Sequence, residues 1–273
     1  MALLFRNSML INSLLSSSEV WYGVENNHIE KLEKCDRILL TRLFSVPFSC
    51  SYEAVFLETG CLPIRFIIQG RRLMYYWTLL NKSSNELVKK FFEVQKQFAS
   101  NNDWILQITE DKKALDIDLS EQSIQSMKKH KFKKYIKEKL HAKATQFLFK
   151  NKSKHSKSNN LNSFSLQDYV STEKLNTREK KLLFSLRTRS IHVKTNYKTM
   201  YKFNMKCFLC ENDEDSEKHL LKCPKILENI DNPTEVQNAC YENIYSQNLD
   251  DQIIVTKIYD KIFKTRNILL KQK

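Results

Sequence analysis

Glycine is nearly missing from this chain: there are three in 273 residues, Gly23, Gly60 and Gly70, and none follows Gly70. Ordinary usage would supply about 19. Loops that cradle phosphate need glycine where the backbone turns tightly or approaches a ligand, so a Walker loop and a dinucleotide fingerprint are excluded. Proline is also scarce, at four, and an all-β sandwich built on many tight turns is equally excluded. No stretch reaches the roughly 18 unbroken apolar residues of a membrane span, so a soluble chain with no membrane partner is expected. Arg6, Asn7, Ser8 and Asn12 interrupt the apolar residues of positions 1–15. That segment reads as an amphipathic helix, with no clean export signal. Seven cysteines are present; their odd number and irregular spacing do not make a disulfide framework, and a reducing compartment, nucleus or cytoplasm, is expected.

What the chain has is lysine and helical periodicity. With 45 Lys+Arg against 31 Asp+Glu the formal net charge is +14, which points to polyanionic partners, RNA and/or DNA. Apolar residues recur every three or four positions through Leu32, Cys35, Leu39, Leu40 and Leu43, in a helix ending at Pro47. A second helix starts near Pro63 and carries Phe66, Leu73, Trp77 and Leu80, and a third covers 85–99. Residues 101–117 are short on periodicity and read as loops around Trp104. Ser120 then caps one long helix whose apolar stripe is Ile124, Met127, Tyr135, Ile136, Leu140, Phe147 and Leu148. Its other faces are crowded with charge: residues 128–157 hold twelve lysines and one acid, Glu138. Residues 151–163 read as a flexible linker. Thr177 caps a further helix running into a second basic strip, residues 211–251 reverse the sign, and 252–270 form a last helix. The fold class is therefore mostly α. A bundle-like helical region (1–150) ends in the long basic helix. After the linker come a basic helix with a cysteine-histidine knuckle (164–230) and a helical tail (231–273).

Cys207, Cys210, His219 and Cys223 form C-x2-C-x8-H-x3-C. Two cysteines three apart place both thiolates on one side of a tight knuckle. A His and a Cys four apart share one helix face, so the two pairs can close a tetrahedron around Zn2+. Sulfur-rich ligation favours zinc over magnesium or calcium, and four protein donors make the site structural. Pro224 discourages continuation of the helix, and Leu220 and Leu221 are placed to plug the small core. Glu211 and Asn212 stand where knuckles often carry glycine.

Several segments resemble, in order, the C-terminal end of LINE-type (non-LTR retrotransposon) reverse transcriptases: SSSEVWYG, LEKCDRILLTRLFSVP, ETGCLPI, RRLMYYWTLL, LLFSLRTRS, Asn196, CFLC and KHLLKCP. The likeness spans most of residues 9–270. It implies a helical region downstream of a polymerase palm, then a zinc knuckle, helping to hold RNA and target DNA. The aromatic-Ala-Asp-Asp signature of the palm is not found, nor is the acid and lysine set of a restriction-like nuclease. A non-catalytic tail is thus implied, with a separately encoded palm polypeptide as a further partner.

The expected phosphate contacts are Lys128, Lys129, Lys131, Lys133, Lys134, Lys137, Lys143, Arg187, Arg189 and Lys194, with Phe132 and Tyr135 interleaved among the charges of the long helix. A solvated charged face is the plainer reading of the lysines, and an ion pair with the acidic tract is that of the two arginines. Masking of the second strip by that tract, with the helices docking protein partners, is the alternative function. Asp116 and Asp118 read as a solvated loop or helix start, Asp250 and Asp251 as acids of a first helical turn. His28, His130, His141, His155 and His192 have no ligand constellation. Cys35, Cys50, Cys61 and Cys240 read as buried small residues, Trp21, Trp77 and Trp104 as core anchors.

Overall fold

The structure is a computed structural model and describes residues 2–46, 50–98, 103–152 and 159–272. It is 67% helix and 1% strand with no sheet, a mostly α fold. Along the chain run α1 (Ala2–Phe5), α2 (Ile11–Leu14), α3 (Asn26–Leu43), α4 (Tyr52–Thr59), α5 (Ile64–Leu80), α6 (Leu87–Gln97), α7 (Trp104–Ala114), α8 (Glu121–Ser126), α9 (Lys129–Lys152) and α10 (Asp168–Ser171). Then follow α11 (Thr177–Arg187), α12 (Glu217–Leu220), α13 (Pro224–Leu227), α14 (Pro233–Gln237) and α15 (Leu249–Gln272). Pro47 and residues 153–158, with His155 and Lys157, lie outside the described residues.

Two compact units divide the chain: residues 1–39 with 62–150, and 40–61 with 151–273. The sequence reading groups 40–61 with the first 150 residues, whereas they pack in the second unit, because Glu58 is buried against Arg187 and Tyr169.

In the first unit Ile11, Leu15, Ile64 and Ile68 are almost fully buried, with Leu14, Trp21, Leu32 and Ile67 packed against them. The first fifteen residues do not form one helix: a π-helical stretch at Arg6–Leu10 joins α1 to α2. Arg6 is drawn into the interior there, donating to Asp36 Oδ1 at 2.6 Å. Arg72 on α5 is likewise buried and paired with Asp111 of α7 at 2.6 Å. Buried pairs of this kind fix register more than they stabilise, since desolvation offsets the attraction. Gly70 lets α5 approach α9: a Cβ there would stand 2.7 Å from Leu140 Cδ1.

Two sequence expectations are corrected here. Residues 104–114, read as loop, are the helix α7, capped by the Asp103 side chain and holding the buried Trp104, whose indole donates to Glu19 O at 2.8 Å. The long helix from Ser120 is two helices. Ser120 caps α8 only, the chain extends at Met127, and the Trp77 indole takes the freed Met127 carbonyl at 3.0 Å before α9 begins.

In the second unit α11 is capped by a reciprocal box of Asn176 and Glu179, one residue before the Thr177 expected. Phe44 stacks on Phe184 with ring centroids 4.2 Å apart. Gly60 ends α4 in the left-handed conformation, φ 61°, and a Cβ would meet Ser165 C at 2.7 Å, where Thr59 and Leu166 form a β-bridge. Asp250 and Asp251 lie in the first turn of α15, as the sequence indicates. Cys50 and Cys61 are buried, but Cys35 and Cys240 are exposed, since each sits on the solvent side of its segment.

Candidate metal centre and cationic surfaces

The four residues of the cysteine-histidine pattern come together. Their donor atoms all lie within 4.8 Å of one another, so they could hold a metal ion. Bonds of about 2.3 Å to sulfur and 2.0–2.1 Å to nitrogen give tetrahedral edges of about 3.8 Å for S···S and 3.6 Å for S···N. The observed Cys207–Cys223 Sγ distance is 3.9 Å, and Cys210 Sγ lies 3.3 Å from His219 Nε2.

Local backbone chemistry builds this arrangement. Cys207 N donates to Asp213 O at 2.7 Å and Asp215 N to Met205 O at 2.8 Å, closing a hairpin around the first two cysteines. Its tight turn is made by Glu211, which takes the left-handed conformation (φ 60°) and donates its N–H to Cys207 O. Leu209 N points at Cys207 Sγ from 3.4 Å, in the direction that favours a thiolate. His219 is set by α12, whose cap Ser216 accepts from His219 N at 3.1 Å. With Nε2 toward the cysteines, Nδ1 faces Asp213 Oδ2 at 3.5 Å, an orientation that selects the ligating tautomer. The helical turn expected to carry both His219 and Cys223 ends at Leu220. Cys223 is extended instead, at ψ 117°, as the residue before Pro224 must be, and it caps α13.

The two buried thiols perturb each other. The hydrogen bond from Cys223, with backbone N–H groups adding to it, pulls the Cys207 thiol far below its ordinary value, and the same contact pushes Cys223 upward. Leu220 and Leu221, between the last two ligands, are buried. Arg266 of α15 donates Nη2 to both carboxylate oxygens of Asp215 at 2.8 and 3.0 Å, while Tyr259 donates to Glu217 O at 2.8 Å. The cluster therefore rests on the longest helix of its unit.

The expected cationic contacts separate into two groups. On α9 the buried stripe is Phe132, Ile136, Leu140, Ala144 and Leu148. Phe132 belongs to the core, not to the charged face. Lys128, Lys129, Lys131, Lys133, Lys134 and Lys137 are exposed. Among the described residues none of these six is in an ion pair. Lys143 is different, half-buried and paired with Asp116 at 2.6 Å.

In the second strip Arg187 and Lys194 are 5% exposed, so neither is offered to a ligand. Arg187 pairs with Glu58 at 2.9 Å and donates to Ile244 O at 2.6 Å. Burial pulls its pKa down, but the Glu58 charge, the hydrogen bond to Glu58 and the neighbouring tyrosines together outweigh that and the net direction is up. Lys194 places Nζ 4.1 Å from the centre of the Phe208 ring. Only Arg189 of the three is half-exposed. Sequence reasoning passed over the aromatic residues beside the knuckle. Phe208 lies parallel to the exposed ring of His192 at 6.3 Å, Tyr201 meets Phe208 edge-on, and Phe203 is fully exposed. Their signal was an aromatic inside the C-x2-C itself.

No helix among the described residues is long and apolar enough to cross a membrane. No protein-family model, curated protein or solved structure matches the chain.

Proposed function

We propose that the chain is a non-catalytic, zinc-containing binder of RNA or single-stranded DNA, resembling the tail of a LINE-type reverse transcriptase. The observation that carries this reading is the cluster of six exposed lysines at 128–137, five of them on α9 around its buried apolar stripe, with no carboxylate partner among the described residues. Like charges spaced along one helix repel each other. A polyanion relieves that repulsion and releases counterions, which is how lysine-rich surfaces gain affinity with little base readout. The Cys3His donor set suits Zn2+, which would fix the hairpin 205–215 and the turn at His219. Filled by four protein donors, such an ion supplies folding free energy and leaves no position for a substrate water. The rings of His192, Tyr201 and Phe208 offer π-faces of the kind on which unpaired bases stack.

Masking by the acidic tract is less well supported. Four of its carboxylates are engaged with other bases: Glu228 with Lys225, Glu235 with Lys261, Glu242 with Lys218 and Asp250 with Lys174. None of those four lysines belongs to the 178–206 strip.

The test is fluorescence anisotropy with single-stranded RNA and DNA, comparing the wild-type chain with a variant in which the six exposed lysines are glutamine. The expected result is at least a hundredfold loss of affinity at low salt with unchanged helicity. Equal affinity of the two proteins would reject the reading.

A further inference from the structure

Beside the metal cluster, and wholly within the second unit, a cleft of about 450 Å3 is lined by Arg189, Lys198, Lys218, Thr195, Ser216 and Tyr241 among others. Its size is that of a small-molecule site. We propose that this cleft is a phosphate-binding site, which receives the phosphate group of a nucleotide, free or in a strand.

The argument begins with backbone geometry. Arg189 follows the end of α11 in the left-handed conformation, φ 48°. For a residue with a Cβ this costs about 1–2 kcal/mol, and such outliers concentrate where a side chain must be aimed. The turn separates Arg189 from the buried Arg187 and gives its guanidinium to the cleft. No carboxylate pairs with it among the described residues; the phenols of Tyr241 and Tyr245 and the charge of Glu217 are its electrostatic neighbours.

Two lining residues carry hydroxyls that lack a well-shaped partner. Thr195 Oγ1 is buried and has no hydrogen-bond partner, and Tyr241 Oη, in a side chain 4% exposed, forms no well-shaped hydrogen bond. An unsatisfied buried hydroxyl costs about 1–3 kcal/mol, which an incoming acceptor recovers. Ser216 Oγ accepts from His219 N, so its own proton is free to donate. Lys198 is exposed at the rim. Lys218 is tied to Glu242, but that pair is 62% exposed on both sides and so is opened at little cost.

Glu217 is the one acid in the lining. Its carboxylate is occupied by Asn196, which donates to Oε1 at 2.7 Å. Three cations against the single charge of Glu217, together with the lining hydroxyls, match a group with several acceptor oxygens and negative charge, with Arg supplying the planar fork.

This proposal rests on the nucleic-acid reading but is separable from it. The experiment titrates the intact, zinc-loaded chain at low ionic strength with inorganic phosphate, adenosine 5′-monophosphate and adenosine. It follows tyrosine fluorescence and checks stoichiometry by calorimetry. Phosphate and the monophosphate should each bind one per chain and compete, while adenosine does not bind. Tighter binding of the monophosphate identifies a nucleotide as the source of the group, and equal affinities identify the free anion. Lys198→Gln and Thr195→Val should each weaken binding about tenfold, whereas Lys202→Gln, an exposed charge outside the cleft, should not. Thermal unfolding and metal content verify that the variants fold. Absence of saturable phosphate binding, or equal losses in Lys202→Gln and Lys198→Gln, would overturn the proposal. RNA binding without mononucleotide binding removes the cleft alone; mononucleotide binding without RNA binding removes the function proposed above and leaves the cleft.

Discussion

Arg187 Nε lies 2.9 Å from Glu58 Oε2, with the two side chains 6% and 1% exposed. Tyr169, fully buried, donates to the same carboxylate at 2.7 Å. A guanidinium taken from water this completely must keep its partner, and breaking such a pair costs about 3–5 kcal/mol. Glu58→Gln and Arg187→Met should each destabilise the second unit by about that much in urea unfolding. Replacing both with apolar residues should cost less than the sum. A loss of RNA affinity in Arg187→Met without loss of stability would return this residue to the ligand-binding surface.

The lysine row carries a prediction in charge units. Changing Lys129, Lys133 and Lys137 to glutamine removes three phosphate contacts, so for a single-stranded ligand the slope of log K against log salt should become shallower by about 2. The same change relieves repulsion on α9, so thermal stability should rise slightly. An unchanged slope would mean that these side chains face solvent only.

Removal of metal should act locally. A strong chelator should expose the amides of residues 205–227 to hydrogen exchange, while the amides of α9 remain protected. Cobalt added to the chelated protein should restore protection and show thiolate-to-metal absorption. Cys210→Ser should weaken both effects without unfolding the first unit. Equal exchange with and without chelator would remove the ion from the account.

Two glycines share a conformation but not a neighbourhood. Gly23 and Gly60 both have φ 61°, yet a Cβ at Gly23 meets nothing within 4 Å, while one at Gly60 runs into the backbone of Ser165 and Leu166. Gly23→Ala should therefore cost only the conformational term, about 1 kcal/mol. Gly60→Ala should cost clearly more and lower the melting temperature of the second unit. Equal effects would show that the bridge between Thr59 and Leu166 yields freely.

The metal cluster was legible because its four donors fall within 17 residues, and short-range spacing is a geometric statement. The helices α5 and α15 were legible from apolar periodicity. The break between α8 and α9 was not, because Ile124, Ile136 and Leu140 stay in phase across it, and the Met127 carbonyl freed there is taken by an indole fifty positions away, at Trp77. The helix α7 was missed since it buries only Trp104, Ile108 and Asp111, one of them charged. Arg187 resembled a surface cation because nothing in its own segment announces Glu58, which lies 129 positions upstream. Burial of a charge depends on its partner, and a distant partner leaves no local trace.

The most direct measurement is the equilibrium affinity of the zinc-loaded chain for a short single-stranded RNA over a range of salt concentrations. With about six phosphates neutralised by the lysines of 128–137, log K should fall linearly with log salt at a slope of roughly −4. A slope near zero, or no binding at the lowest salt, would contradict phosphate binding by this helix.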